Sequence, residues 1–94
     1  MMTDQALGAL ALANEVRSAR RELRAAIRAG ERAFADALTD PCCQSMRIGD
    51  MLRMQRGWGA VRAERACRRV PCGTGVRVRD LTPRQVAALR ELIA

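Results

Sequence analysis

Histidine, lysine and tyrosine are absent from these 94 residues, and phenylalanine and tryptophan occur once each, as Phe34 and Trp58. Each absence removes a class of function. Without histidine the commonest general base and metal ligand is missing. The chain also offers no paired-carboxylate site, no phosphate-binding loop with a lysine, and no activated nucleophile, so it reads as a protein without enzymatic activity. Two aromatics cannot build the platform on which single-stranded nucleic acid stacks its bases. No apolar run approaches the roughly 20 residues needed to cross a bilayer, and no basic-then-apolar leader pattern opens the chain. A cytoplasmic or nucleoid location is expected, without a membrane partner.

Cysteine is less scarce, with residues at 42, 43, 67 and 72. Cys42 and Cys43 are adjacent, which makes them poor partners for each other and awkward ligands for one ion. Cys67 and Cys72 have no histidine to complete a site, so zinc would need all four thiolates in one place. Reduced, partly buried thiols are expected, with no metal and no cofactor.

What is abundant is arginine. All 17 basic residues are arginine, set against 10 acids, for a net charge of +7 and a pI near 11.1. Arginine makes two-pronged contacts to phosphate, where lysine acts as a point charge. Residues 1–43 hold six arginines and six acids. Residues 44–94 hold eleven arginines and four acids, so the whole excess sits in the second half. Such asymmetry marks a polyanion-binding surface, and with so few aromatics it favours recognition of a duplex.

Periodicity divides the chain into five helical segments. The first covers about residues 4–29, with Thr3 or Asp4 as its cap and Gly30 placed to end it. Leu12, Val16, Ala19, Leu23 and Ile27 form its expected buried stripe. Arg17, Arg21, Arg24 and Arg28 form a second stripe. Glu15, Glu22 and Glu31 balance these arginines, so a solvated face with local ion pairs is the simpler reading; a second DNA-contacting surface is the alternative. A short helix follows over 31–38, anchored by Phe34 and Leu38 and closed by Asp40-Pro41. A third covers 48–54, presenting Ile48, Met51 and Leu52. Met46, Met51 and Met54 are expected to fill gaps in the core. The fourth spans 60–70, burying Ala63, Ala66, Cys67 and Val70. The last opens with Thr82-Pro83-Arg84-Gln85, a capping box with proline at the first helical position, and turns Val86, Leu89 and Ile93 inward.

Arg56-Gly57-Trp58-Gly59 is the segment that carries function. Two glycines one residue apart allow a tight turn and close backbone approach. The N–H groups opening the next helix can then hold a phosphate, with Arg62 and Arg65 one turn apart beside them. Contacts of this kind position a protein on a duplex without reading sequence. Trp58 either packs on its own domain or acts as a wedge between base steps. Arg77 and Arg79 alternate in an expected extended stretch, which would point both side chains one way as a phosphate clamp. Arg84 at the start of the last helix completes the candidate interface.

The order of these motifs resembles the actinobacterial integration host factors, small nucleoid proteins with a long Ala- and Arg-rich N-terminal helix and a helix-two-turns-helix module. Gly57, Gly59, Arg62 and Ala63 match that family's P-G-x-G-x-x-R-A turn. Arg77, Val78, Arg79 and Leu81 match its R-V-R-x-L segment. The residues Ala19-Arg20-Arg21-Glu22-Leu23 and Ala37-Leu38 resemble the stretches before the module, so the likeness covers about residues 12–92. Arg56 stands where the family usually has proline, and the linker Asp40-Pro41-Cys42-Cys43 is unlike the family's. The resemblance implies an all-α fold, with a long helix in residues 1–30 and a compact module, similar to that of ribosomal small-subunit protein S-thirteen, in residues 31–94. It further implies sequence-tolerant duplex binding, DNA bending or compaction, and assistance to site-specific recombination within recombinase complexes. A monomer is expected, because no heptad seam is sustained. Two other functions fit the same residues. One is RNA binding, as in the S-thirteen family, whose members carry a long basic tail not seen by Ala94. The other is an adaptor that docks a protein partner through the first helix.

Overall fold

The computed structural model describes residues 4–93. Among them are five α-helices: α1 (Asp4–Arg28), α2 (Phe34–Ala37), α3 (Ile48–Leu52), α4 (Ala60–Arg69) and α5 (Pro83–Ile93). Two 3-10 turns, Pro41–Cys43 and Val78–Asp80, join them. The all-α expectation holds. β-type pairing among the described residues is one isolated antiparallel bridge between Arg47 and Arg77. The cap expected at Thr3 falls outside the described residues, as does the side chain of Asp4.

Helix ends follow local chemistry. Gly30 takes the left-handed conformation, φ +74°. Glu31 N–H then reaches back to Ala26 O at 2.9 Å and Gly30 N–H to Ile27 O at 3.2 Å. This is the Schellman arrangement, which satisfies carbonyls left over at a helix end. At α5 the capping box forms as read: Thr82 Oγ1 accepts from Gln85 N–H at 3.1 Å and Gln85 Oε1 accepts from Thr82 N–H at 3.0 Å. The two middle helices are shorter than expected. α2 begins at Phe34 rather than at residue 31, because the Schellman turn consumes 30–32 in reversing the chain. α3 ends at Leu52, and Met54 N–H bonds Met51 O at 3.0 Å in a tighter turn.

The core gathers residues from every helix. Leu23, Phe34, Leu38, Met51, Leu52, Ala63, Ala66, Val78 and Leu89 are buried together, with Ile48 and Cys43 fully enclosed. No polar or charged residue is buried among the described residues. Met51 and Met54 fill the core as expected, while Met46 is half-buried at its edge. α1 docks on the Pro41–Cys43 turn, where Arg20 Nε donates to Cys42 O at 2.7 Å and the same guanidinium reaches Ser45 Oγ at 2.6 Å. The expected α1 stripe is therefore only partly realised. Leu23 is 5% exposed and Ile27 packs against the core, but Leu12 is 62% exposed, because the rest of the molecule ends before reaching it. Leu7 and Leu10 are also exposed.

All four cysteines are free. Cys42 Sγ and Cys43 Sγ lie 3.7 Å apart, and Cys72 N–H bonds Cys67 O at 2.9 Å. Burial pushes both Cys42 and Cys67 up to about 12. The Asp40 hydrogen bond reinforces this at Cys42, and the neighbouring Cys72 does so at Cys67.

Asp40 caps the first 3-10 turn. Its carboxylate stands beside the Cys42 side chain and accepts from Cys42 N–H at 3.0 Å, and the Arg32 guanidinium sits 2.8 Å from its other oxygen. These contacts hold its carboxyl below the ordinary value of 3.8. A depressed carboxylate contributes stability above its unfolded-state value and loses it as the pH falls through the folded-state value. Thermal melts from neutral pH down through the acid range should therefore show a loss of stability in the native chain below about pH 4. Asp40→Asn should flatten that part of the curve and start from a lower melting temperature.

Candidate nucleic-acid interface

The turn before α4 is built on one obligatory glycine. Gly57 has φ +78°, a conformation that costs a side-chain-bearing residue about 1–2 kcal/mol. Trp58 N–H then bonds Gln55 O at 3.1 Å, and Gly59 enters α4 as an extended N-terminal residue with φ −100°. No side chain caps α4, and its first turn holds no acid. Among the described residues the N–H groups of Gly59, Ala60, Val61 and Arg62 find no protein acceptor. A Cβ built on Gly59 would meet nothing within 4 Å. This is an exposed, uncapped, positively polarised helix start with open space over its backbone, which suits an anion.

Arg62 does not extend freely from this helix. Its guanidinium lies 4.3 Å from the centroid of the Trp58 ring. Stacking of this kind holds the planar group by its face and leaves its in-plane N–H donors available. Trp58 itself is half-buried and packs on the core, in agreement with the first of the two readings of this residue. Arg56 and Arg65 are exposed near the same helix start.

The expected geometry of Arg77 and Arg79 is corrected. Arg77 pairs with Arg47 in the isolated bridge, but Val78 opens a 3-10 turn, so strand alternation stops between the two arginines. The cause is long-range. Val78 N–H donates to Met46 O at 2.9 Å and Arg79 N–H to Gln44 O at 3.1 Å, which pulls the segment against residues 44–48. The Arg77 guanidinium donates to Ser45 O, and both arginines are exposed. Arg84 is exposed on the first turn of α5 and lines neither of the clefts described next.

Two clefts flank the α4 start. One, of about 260 Å³, runs between Ala60 and the loop at Thr74 and Gly75 and is lined by Arg47 and Arg53 together with Asp50 and Glu64. The other, of about 480 Å³, lies between α1 and α3 and brings Arg20, Arg21, Arg24 and Arg28 together with Arg53 and Trp58. Arg17 is exposed farther along α1. The local ion pairs expected to balance the α1 stripe are not formed. The ion pairs of the described residues are Arg32–Asp40 and Arg68–Glu64, each at 2.8 Å. Sequence reasoning missed Arg20, Arg47 and Arg53. Arg20 carried a signal, since it stands three and four residues from Arg17 and Arg24. Arg47 and Arg53 carried none, because only the fold brings them to α4.

The fold has a counterpart among solved structures. A structure of sIHF bound to an 8-base-pair palindromic DNA matches with a TM-score of 0.78, over 87% of this chain and 97% of that chain, at 22% identity. The chain folds like sIHF. At that identity the likeness is one of fold. No family model matches the chain, and no curated protein matches it.

Two substitutions separate the roles of the glycines. Gly57→Ala should lower stability by about 1–2 kcal/mol in chemical denaturation, through its backbone conformation. Gly59→Ser should raise stability by a few tenths of a kcal/mol, because serine supplies the missing cap. The same hydroxyl would occupy the free N–H groups, so the more stable variant should bind anions less well.

Proposed function

We propose that this protein is an architectural duplex DNA-binding protein, largely indifferent to sequence and without catalytic activity. It grips the phosphate backbone, bends or compacts the DNA, and works in the nucleoid, where it assists site-specific recombination in recombinase complexes. The uncapped start of α4 carries this reading. Its four free N–H groups, the open face of Gly59 and the stacked Arg62 guanidinium make one concentrated phosphate site. Arg56, Arg65, Arg77, Arg79 and Arg84 add exposed charge that would contact the backbone on either side. Further support comes from the fold, since the structure of sIHF that shares it is bound to DNA. Contacts to phosphate position the protein without naming bases, which is why sequence tolerance follows. Trp58 serves as the support on which Arg62 is held rather than as an inserted wedge.

A second reading rests on Leu7, Leu10 and Leu12, which are 50%, 45% and 62% exposed on the N-terminal half of α1. In that reading α1 docks a protein partner, and the complex survives high salt because apolar contacts are not screened.

The test is affinity for a 20–30-base-pair duplex of arbitrary sequence at several salt concentrations. If five to seven arginines neutralise phosphates, the log–log salt slope should be on the order of −5 to −6. Arg62→Ala and Arg79→Ala should each weaken binding by about tenfold on every sequence and reduce the slope by about one. Trp58→Leu should weaken it by a smaller factor, about two- to fivefold, by releasing Arg62. A fluorophore pair on the duplex ends should report closer approach on binding if the DNA is bent. A slope near −1, or no binding at low salt, would overturn the phosphate-grip reading and leave the protein-docking one.

A further inference from the structure

The larger cleft holds an arrangement that duplex binding at α4 does not use. Five arginines, Arg20, Arg21, Arg24, Arg28 and Arg53, line a cleft of about 480 Å³. The carboxylate among its lining residues is Asp50. Two of the five are fixed by the fold. Arg20 is tied to Cys42 O and Ser45 Oγ, and Arg28 Nε donates to Met54 O at 3.3 Å. Arg21, Arg24 and Arg53 make no side-chain hydrogen bond and no ion pair among the described residues. Like charges gathered in this way repel one another, and an anion carrying several charges is what relieves them.

The rest of the lining is different in kind. Met46, Trp58 and the largely buried Met54 supply the apolar part of the lining, and Trp58 carries Arg62 on one ring face. Thioethers and an indole suit a flat, polarisable ring. The volume falls in the range of small-molecule sites, about 300–1,000 Å³. A ligand that matches both walls carries clustered negative charge at one end and an aromatic ring at the other. Asp50 then offers an acceptor to ring N–H groups, which a plain polyanion does not possess. From this juxtaposition we infer that the cleft between α1 and α3 binds a nucleoside oligophosphate, with its phosphates on the α1 arginines and Arg53 and its base on Met46, Met54 and Trp58. This site shares Trp58 with the duplex grip at the start of α4 but draws its phosphate contacts from other arginines, so the two can be tested separately.

Trp58 is the single tryptophan of a chain without tyrosine, so its emission reports directly on the cleft. The experiment titrates the full chain with ATP, with GTP and with inorganic tripolyphosphate at constant ionic strength. Both nucleotides should quench Trp58 saturably and bind about tenfold more tightly than tripolyphosphate. Arg24→Ala and Arg53→Ala should each weaken nucleotide binding by about tenfold, the loss expected for a charge-assisted contact. Arg69→Ala, at the far end of α4, should leave it unchanged, and circular dichroism should show all three variants folded. Equal affinity for tripolyphosphate and nucleotides would overturn the proposal, since the base would not be recognised. Quenching that ignores Arg24→Ala and Arg53→Ala would overturn it as well. If nucleotides fail to bind while both variants weaken duplex affinity, the cleft belongs to the duplex contact and the proposal is wrong.

Discussion

Four backbone hydrogen bonds hold residues 44–49 against residues 74–79, and the rest of the molecule is organised around them. Arg79 donates to Gln44 O, Val78 to Met46 O, Ile48 to Val76 O and Gly49 to Thr74 O, at 2.7–3.1 Å. The close approach requires a residue without a side chain, because a Cβ on Gly49 would lie 3.0 Å from Thr74 O. This seam ties the entry of α3 to the exit from α4 across about thirty residues of chain, a separation at which loop-closure entropy is costly. It seats Ile48 and Val78 in the core and leaves their neighbours Arg47, Arg77 and Arg79 outside. Burial below and charge above are therefore two sides of one short pairing. Three of the arginines that make up the excess in the second half, Arg47, Arg77 and Arg79, are kept at the surface by this seam.

The parts of this structure that were legible in the sequence are those governed by contacts within a few residues. Gly30 ends α1, Thr82 and Gln85 cap α5, and Gly57 turns the chain before α4, each through a local backbone preference. Leu23, Phe34, Leu38, Met51, Leu52 and Leu89 were readable as core because helical spacing places them on one face. What the pattern could not supply was the extent of the partner. Leu12 fits the stripe as well as Leu23 does, yet the surface that covers Leu23 stops short of it. The Arg77-Val78-Arg79 alternation looked like a strand for the same reason, since nothing local reports that residues 44–46 bend it into a 3-10 turn. Of the candidate interface, the turn and Arg62 were visible in the sequence. Arg47 and Arg53 were not, as they join it only through tertiary folding.

Under the proposed function, local stability and binding pull apart at the start of α4. A helix this exposed would ordinarily begin with serine, threonine or aspartate and keep an acid in its first turn. This one begins with glycine and has neither. Among the described residues the omission leaves the positive end of this helix unanswered by protein groups. Arg62 adds to that polarity and is steadied by the Trp58 ring instead of by a carboxylate, which would cancel its charge. The acid that does follow, Glu64, is drawn away to Arg68. Composition thus acts through position. Ten acids are present, and none of them stands in the first turn of α4 or caps it.

The reach of α1 has a geometric consequence of its own. Because this helix outruns the surface that packs on it, the molecule measures 49 Å in one direction and only 22 Å in another. A duplex rises about 3.4 Å per base pair, so a body lying lengthwise would occlude about 14 base pairs and one standing crosswise about six. Orientation would then change by roughly twofold the number of copies that a given length of DNA can hold. If the protein coats DNA as proposed, the protruding half-helix, which contributes little to the core, would set the spacing between neighbours.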